Sequence, residues 1–98
     1  MNHNTVYPDE KLNKDSSSEL KEKIMYSIEK NKVTFISFKN VIYLDKEGLN
    51  TLIGLLEYSK KRKRELWLCE IKPEIMEIMT FTNLSNLFKM YNTSKSSE

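Results

Sequence analysis

The sequence predicts an α/β domain: a largely parallel sheet of about four strands with helices packed against it. Two observations carry this expectation. A run rich in β-branched and aromatic residues, Val33–Phe38, and a short apolar run, Leu66–Cys69, alternate with stretches whose apolar residues recur every three or four positions. Each of those stretches opens on a residue suited to starting a helix: Ser16, Asp45 or Pro73. Strand–helix alternation of this kind builds parallel sheets with right-handed crossovers. The 98 residues fit one domain, 1–98. A chain of this size buries roughly 60–65% of its unfolded surface, enough for a core without disulfide or metal staples.

Residues 1–4 and the tail from Asn92 are polar and expected to be flexible. Thr5-Val6-Tyr7 reads as a short strand that Pro8 confines to an edge, and Asp9–Asp15 reads as a loop. Ser16 and Glu19 have the spacing of a capping box. Leu20, Ile24 and Ile28, with Met25 beside them, then give one apolar helix face to about Lys30. Val33–Phe38 is apolar on both faces apart from Thr34 and Ser37, which suits a central strand covered on both sides. Val41-Ile42-Tyr43-Leu44 is a second short apolar run. Asp45 is a good N-cap for a helix with a stripe at Leu49, Leu52, Ile53, Leu55 and Leu56, ending near Lys60. Glu65–Glu70 is another buried strand, and Pro73 opens a third helix carrying Ile75, Met76, Ile78 and Met79. Phe81, Leu84, Leu87 and Phe88 suggest a short helix packed on the sheet, followed by a terminal strand at Met90-Tyr91.

Composition narrows the function classes. Sixteen basic and 14 acidic residues give a formal charge of +2, which points neither to nucleic acid nor to an acidic substrate. The single cysteine, Cys69, allows no internal disulfide or cysteine-based metal site, and its strand position suits a buried thiol. The lone histidine, His3, stands in the polar N-terminal segment, so a Cys–His catalytic pair has no motif support. With only Gly48 and Gly54 in the chain there is no phosphate-cradling loop, and no cofactor is implied. No apolar run approaches the roughly 20 residues that span a bilayer and no signal-peptide core is present, so a cytoplasmic location is expected.

The segment from Lys32 to Tyr91 forms one pattern: a buried strand, the run Val41–Leu44, and Asp45-Lys46-Glu47-Gly48-Leu49 opening an apolar helix. A basic turn, a strand and Pro73-Glu74-Ile75 follow, then Phe81-Thr82-Asn83-Leu84-Ser85-Asn86-Leu87-Phe88. This pattern resembles the STAS domain, the family of bacterial anti-sigma-factor antagonists and of the cytoplasmic domains of sulfate transporters. The Asp-x-x-Gly-Leu helix start, followed at the right distance by Leu-Ser-Asn-Leu-Phe, is the specific part. The resemblance implies a non-catalytic signalling module in regulation of transcription. Its partner would be an anti-sigma factor or serine-kinase-like switch protein, met by Asp45, Lys46, Glu47, Gly48, Leu49 and Asn50. The second reading it allows, after that one, is a structural subunit of a phospholipid-trafficking ABC transporter that binds the ATPase.

Two departures from the family pattern stand out. Antagonists carry a phosphorylated serine or threonine directly after the Asp, where this chain has Lys46 and then Glu47. Members begin with two strands before the first helix, where this sequence shows one, so an open sheet edge and a homodimer through it are expected. Each feature also has a plainer explanation. Asp45 caps a helix, worth about 1 kcal/mol. Lys46-Glu47 is a charge pair of the kind common on surfaces. Lys60–Arg64 complements a helix C-terminus and then makes a solvated turn, and nothing aromatic interleaves it for stacking on bases. Met76, Met79 and Met90 are core filler.

Overall fold

The structure is a computed structural model that describes residues 4–91. The elements run β1 (Thr5–Val6), β2 (Lys11–Leu12), α1 (Lys14–Lys30), β3 (Val33–Ser37), β4 (Tyr43–Leu44), α2 (Lys46–Lys61), β5 (Glu65–Cys69), α3 (Pro73–Phe81), a 3-10 turn (Leu84–Asn86) and β6 (Lys89–Tyr91). Four strands form one parallel sheet in the order β1-β3-β5-β6. β2 and β4 form a separate parallel ladder of two strands. No helix among the described residues is long and apolar enough to cross a membrane.

The three helices cover one face of the sheet. Thr34, Ile36, Leu66 and Leu68 point into that side and are buried against Leu20, Ile24 and Ile28 of α1, Leu52, Leu55 and Leu56 of α2, and Ile75 and Met79 of α3. The Ser27 and Thr34 hydroxyls, both buried, lie 2.9 Å apart and pin α1 to β3. α1 and α2 run side by side in the same direction. At their starts Thr51 lies 2.9 Å from Ser17, and at their ends the Arg62 guanidinium donates to Glu29 at 2.6 Å. Asp15 and Glu47 in the first turns and Lys30, Lys60 and Lys61 in the last match the helix dipole, while Lys14 and Lys46 at the first positions and Glu29 near the end of α1 oppose it. Arg62, Lys63 and Arg64 close α2 through bonds from Lys63 N to Lys60 O (3.0 Å) and from Arg64 N to Ser59 O (2.9 Å). Lys63 sits at φ 58°, where such a helix stop needs a left-handed residue. The basic run is thus a helix terminus and turn, as its sequence suggests.

Several sequence expectations need correction. Residues 9–15 are not all loop: Lys11–Leu12 is a strand, so two strands precede α1. Alternation is invisible over two residues, which is why β2 reads as coil in the sequence. α1 starts at Lys14, with Asn13 rather than Ser16 as N-cap. Asn13 accepts from Ser16 N and Ser16 Oγ accepts from Asn13 N, both at 3.2 Å, so the capping box lies three residues earlier. Glu19 pairs instead with Lys23, 3.7 Å away at the surface. The edge of β3 is not bare, because β1 pairs with Phe35 and Ile36, Phe35 N donates to Asn4 O at 3.0 Å, and the Asn4 side chain bonds to Val33 O. β3 and β5 are not covered by helices on both sides either. Val33, Phe35 and Trp67 lie on the face away from the core, half-buried, with the Phe35 and Trp67 rings 6.3 Å apart. Finally, Phe81 and Leu87 are exposed while Leu84 and Phe88 are buried, and only a 3-10 turn forms there.

Of the methionines read as core filler, Met79 is buried and Met90 packs half-buried against the core, whereas Met76 is half-buried outside it. Cys69 is a buried thiol with Sγ 3.7 Å from Ile36 O, and burial, followed by the charge of Glu70, pushes its pKa up. His3 and residues 92–98 lie outside the described residues.

Candidate functional site

The start of α2 is set on the small β2–β4 ladder. Lys11 pairs with Tyr43 and Leu12 with Leu44. Glu10 O accepts from both Ile42 N (2.8 Å) and Tyr43 N (3.1 Å), and Leu12 O accepts from Asp45 N at 3.2 Å. These bonds fix the chain just before the helix. Asp45 then caps it: its Oδ1 accepts from Gly48 N at 3.0 Å and its carbonyl accepts from Leu49 N at 2.9 Å.

Gly48 is where backbone meets backbone. A Cβ at this position would lie 2.2 Å from Leu12 O, 2.8 Å from Leu12 C and 2.8 Å from a Leu44 methyl. No side chain fits, so the first turn of α2 presses directly on β2. Gly54, one and a half turns further along the same helix, has nothing within 4 Å. The first glycine is a packing requirement and the second is not.

With the inner side of this turn occupied, its other residues face out. Lys46, Glu47 and Asn50 are exposed, and Leu49 is half-buried at the edge of the core. The Thr51 hydroxyl lies 2.9 Å from both Glu47 O and Ser17 Oγ, tying the starts of α1 and α2 together. All six residues singled out in the sequence, Asp45 to Asn50, thus belong to one turn, with two roles. Asp45 and Gly48 hold it, and Lys46, Glu47 and Asn50 present themselves to solvent.

Two neighbours escaped the sequence reading. Ile42 is 61% exposed and Tyr43 46% exposed, although both sit in an apolar run that reads as core. Only Val41 and Leu44, three positions apart, turn inward. The Tyr43 hydroxyl reaches to 3.5 Å from Asp45 Oδ2, so the ring lies beside the cap. The one available signal was that β4 is too short to be a sheet-core strand. Among the described residues no group of three or more His, Cys, Asp or Glu side chains is placed to hold a metal ion. The site offers a capped turn of alternating charge, Asp45, Lys46 and Glu47, bordered by the exposed apolar side chains of Ile42 and Tyr43.

The family model for the STAS domain matches residues 2–97. The chain belongs to this family. Solved STAS-like structures agree with the fold. A Thermotoga maritima protein assigned as an anti-sigma factor antagonist superposes with a TM-score of 0.81 at 18% identity, covering 99% of this chain and 86% of that one. The anti-sigma factor antagonist SpoIIAA in its unphosphorylated form gives 0.74 at 14% identity, over 90% of this chain and 76% of that one. The phosphorylated form of SpoIIAA, a Bacillus cell fate determinant, gives 0.68 at 16% identity, over 94% and 85%. Identities this low show a shared STAS fold and nothing finer.

Proposed function

We propose that this STAS domain is a non-catalytic regulatory module of the anti-sigma-factor-antagonist kind, docking through the start of α2 onto an anti-sigma factor or serine-kinase-like switch protein in the cytoplasm. The observation that carries the reading is the mounting of that turn. Gly48 has no room for a side chain against β2, and Lys46, Glu47 and Asn50 project from the turn it anchors. A surface held this firmly loses little entropy on binding, which favours recognition.

Lys46 and Glu47 occupy the positions where antagonists carry the phosphorylated residue, so docking here is constitutive or is controlled elsewhere on the chain. The same lack of a hydroxyl suits a standing assembly. It supports a second reading, in which the domain is the STAS subunit of a phospholipid-trafficking ABC transporter and holds its ATPase.

The test is capture of the partner from native cytoplasm on the immobilised domain, followed by calorimetry with the purified partner. Lys46→Glu combined with Asn50→Ala is expected to weaken binding at least tenfold without changing the melting temperature, since both side chains are exposed. Recovery of an anti-sigma factor or kinase-like protein supports the first reading, and recovery of a transporter ATPase selects the second. Binding unaffected by the double substitution overturns the assignment of the site.

A further inference from the structure

α3 keeps an apolar ring where a helix of this fold has no structural use for one. Ile75 and Met79 turn into the core. At 100° per residue, Pro73, Glu74, Glu77 and Phe81 then fall on the outward side, and Pro73, Glu74 and Glu77 are all exposed. Met76 and Ile78 flank them, half-buried. Phe81 stands 91% exposed, more than any other large apolar side chain among the described residues. Burial ordinarily decides where a Phe goes, and here the helix ends with it on the wet face, beside Glu77, which stands opposite the core. Together with Pro73, Met76, Glu77, Ile78 and Thr80 it lines a shallow open groove.

The charges on this face have one sign. Glu74 and Glu77 are the only ionisable residues of α3, which carries no Lys or Arg. Lys72, just before it, is turned away, with its ammonium donating to Lys39 O. An apolar groove bordered by carboxylates alone complements a surface that is apolar and cationic.

We propose that the outward face of α3 is a second docking surface and that its occupant is a cationic amphipathic helix of a partner protein. Such a helix seats apolar residues at i, i+3 or i+4, and i+7 on Phe81 and Met76, and sets Lys or Arg against Glu74 and Glu77. α3 is about 13 Å long, two and a half turns, which matches a short segment packed ridge into groove. The two carboxylates repel an anionic membrane, so a protein segment is the better fit. The proposal is independent of the α2 reading, because no residue is shared between the two surfaces.

The experiment is an amide chemical-shift titration of the 15N-labelled full chain with a synthetic helix of about 14 residues made only of Leu and Lys. The expected shifts centre on Met76, Glu77, Thr80 and Phe81. Phe81→Ser is expected to weaken binding at least tenfold, or ~1.4 kcal/mol, with an unchanged melting temperature. Glu74→Lys with Glu77→Lys is expected to remove binding. A matched Leu–Glu helix and phosphatidylcholine vesicles are expected to give no shifts. The proposal is overturned if the Leu–Lys helix does not bind, or if its shifts centre elsewhere, for example on residues 9–19. It is equally overturned if Phe81→Ser binds as well as the wild type, or if the Leu–Glu helix or the vesicles engage α3.

Discussion

Replacing Gly48 by Ala tests whether the start of α2 really rests on the backbone of β2. Helix propensity alone favours the substitution by about 1 kcal/mol. Against this, the new Cβ falls 2.2 Å from Leu12 O and 2.8 Å from Leu12 C. Ordinary C···O contacts are about 3.3 Å or longer, so β2 must withdraw by about 1 Å. The Leu44 methyl can rotate aside, but the Leu12 carbonyl cannot, because it accepts from Asp45 N and belongs to the β2–β4 ladder. Overpacking of this kind costs about 1–3 kcal/mol and the weakened hydrogen bond about 1 kcal/mol more. Subtracting the propensity gain leaves a net destabilisation of about 1–3 kcal/mol. Urea unfolding followed by circular dichroism reads this as a lower midpoint, with a melting temperature lower by about 4–8 °C per kcal/mol. Gly54→Ala is the internal control. The same propensity gain applies on the same helix, Gly54 is exposed, and its Cβ meets nothing within 4 Å. That variant is expected to gain about 0.5–1 kcal/mol. If Gly48→Ala is as stable as the wild type, or both variants gain alike, β2 does not press on α2 and the argument for a rigidly mounted turn fails.

Intact-mass and phosphopeptide analysis after incubation with a cognate serine kinase is expected to show no phosphate at the helix start, since no residue from Asp45 to Asn50 carries a hydroxyl. Stoichiometric phosphate on Tyr43 or Thr51 would show that the switch has moved. Changing the exposed Lys61 and Lys63 and the half-buried Arg64 to Gln is expected to leave partner binding nearly unchanged, a surface charge contributing about 0–1 kcal/mol. Salt-sensitive binding of the wild type to anionic vesicles or nucleic acid, lost in that variant, would contradict this. The hydrogen bonds of Tyr58 and then Arg62 hold the Glu29 carboxyl below its ordinary value. Its stabilising effect is therefore present above the unfolded carboxylate range and lost as the pH falls through the folded value. Glu29→Gln is expected to lower the urea midpoint slightly at pH 7 and to flatten its decline between about pH 5 and 3. An unchanged decline would assign acid unfolding to other groups. Sedimentation at micromolar concentration is expected to give a monomer, because β1 occupies the edge of β3 and Pro8, Asp9 and Glu10 follow it. A dimer lost in Val6→Pro would restore the edge contact inferred from sequence.

Much of the fold is legible in the sequence because its signals are long. α1 and α2 are helices of 17 and 16 residues with apolar stripes, and β3 and β5 are five-residue strands, the first rich in β-branched and aromatic residues and the second with Leu-Trp-Leu at its centre. Asp45 is readable as a cap because a carboxylate before an apolar stripe has few other local uses. What the sequence hides is short or depends on distant partners. β2 has two residues, and its existence rests on pairing with β4, some 30 positions away. Ser16 has the sequence spacing of a cap, but in the fold it is the third residue of the helix, with its Oγ donating to Lys11 O of β2 (2.7 Å), and Asn13 caps the helix instead.

The candidate site shows the same division more sharply. Its position follows from Asp45, Gly48 and Leu49, whose identities the local backbone dictates. Its surface does not, because Ile42 and Tyr43 belong to an apolar run, and periodicity cannot separate a four-residue run that is wholly buried from one that is half exposed. Phe81 is the parallel case on α3, an apolar residue in register with the pattern that sits outside the core. In both places a large side chain takes a position that folding alone would assign to a polar one. A sequence selected only for stability gains nothing from Ile42 or Phe81 in water, and this is the physical reason for proposing docking at these two surfaces.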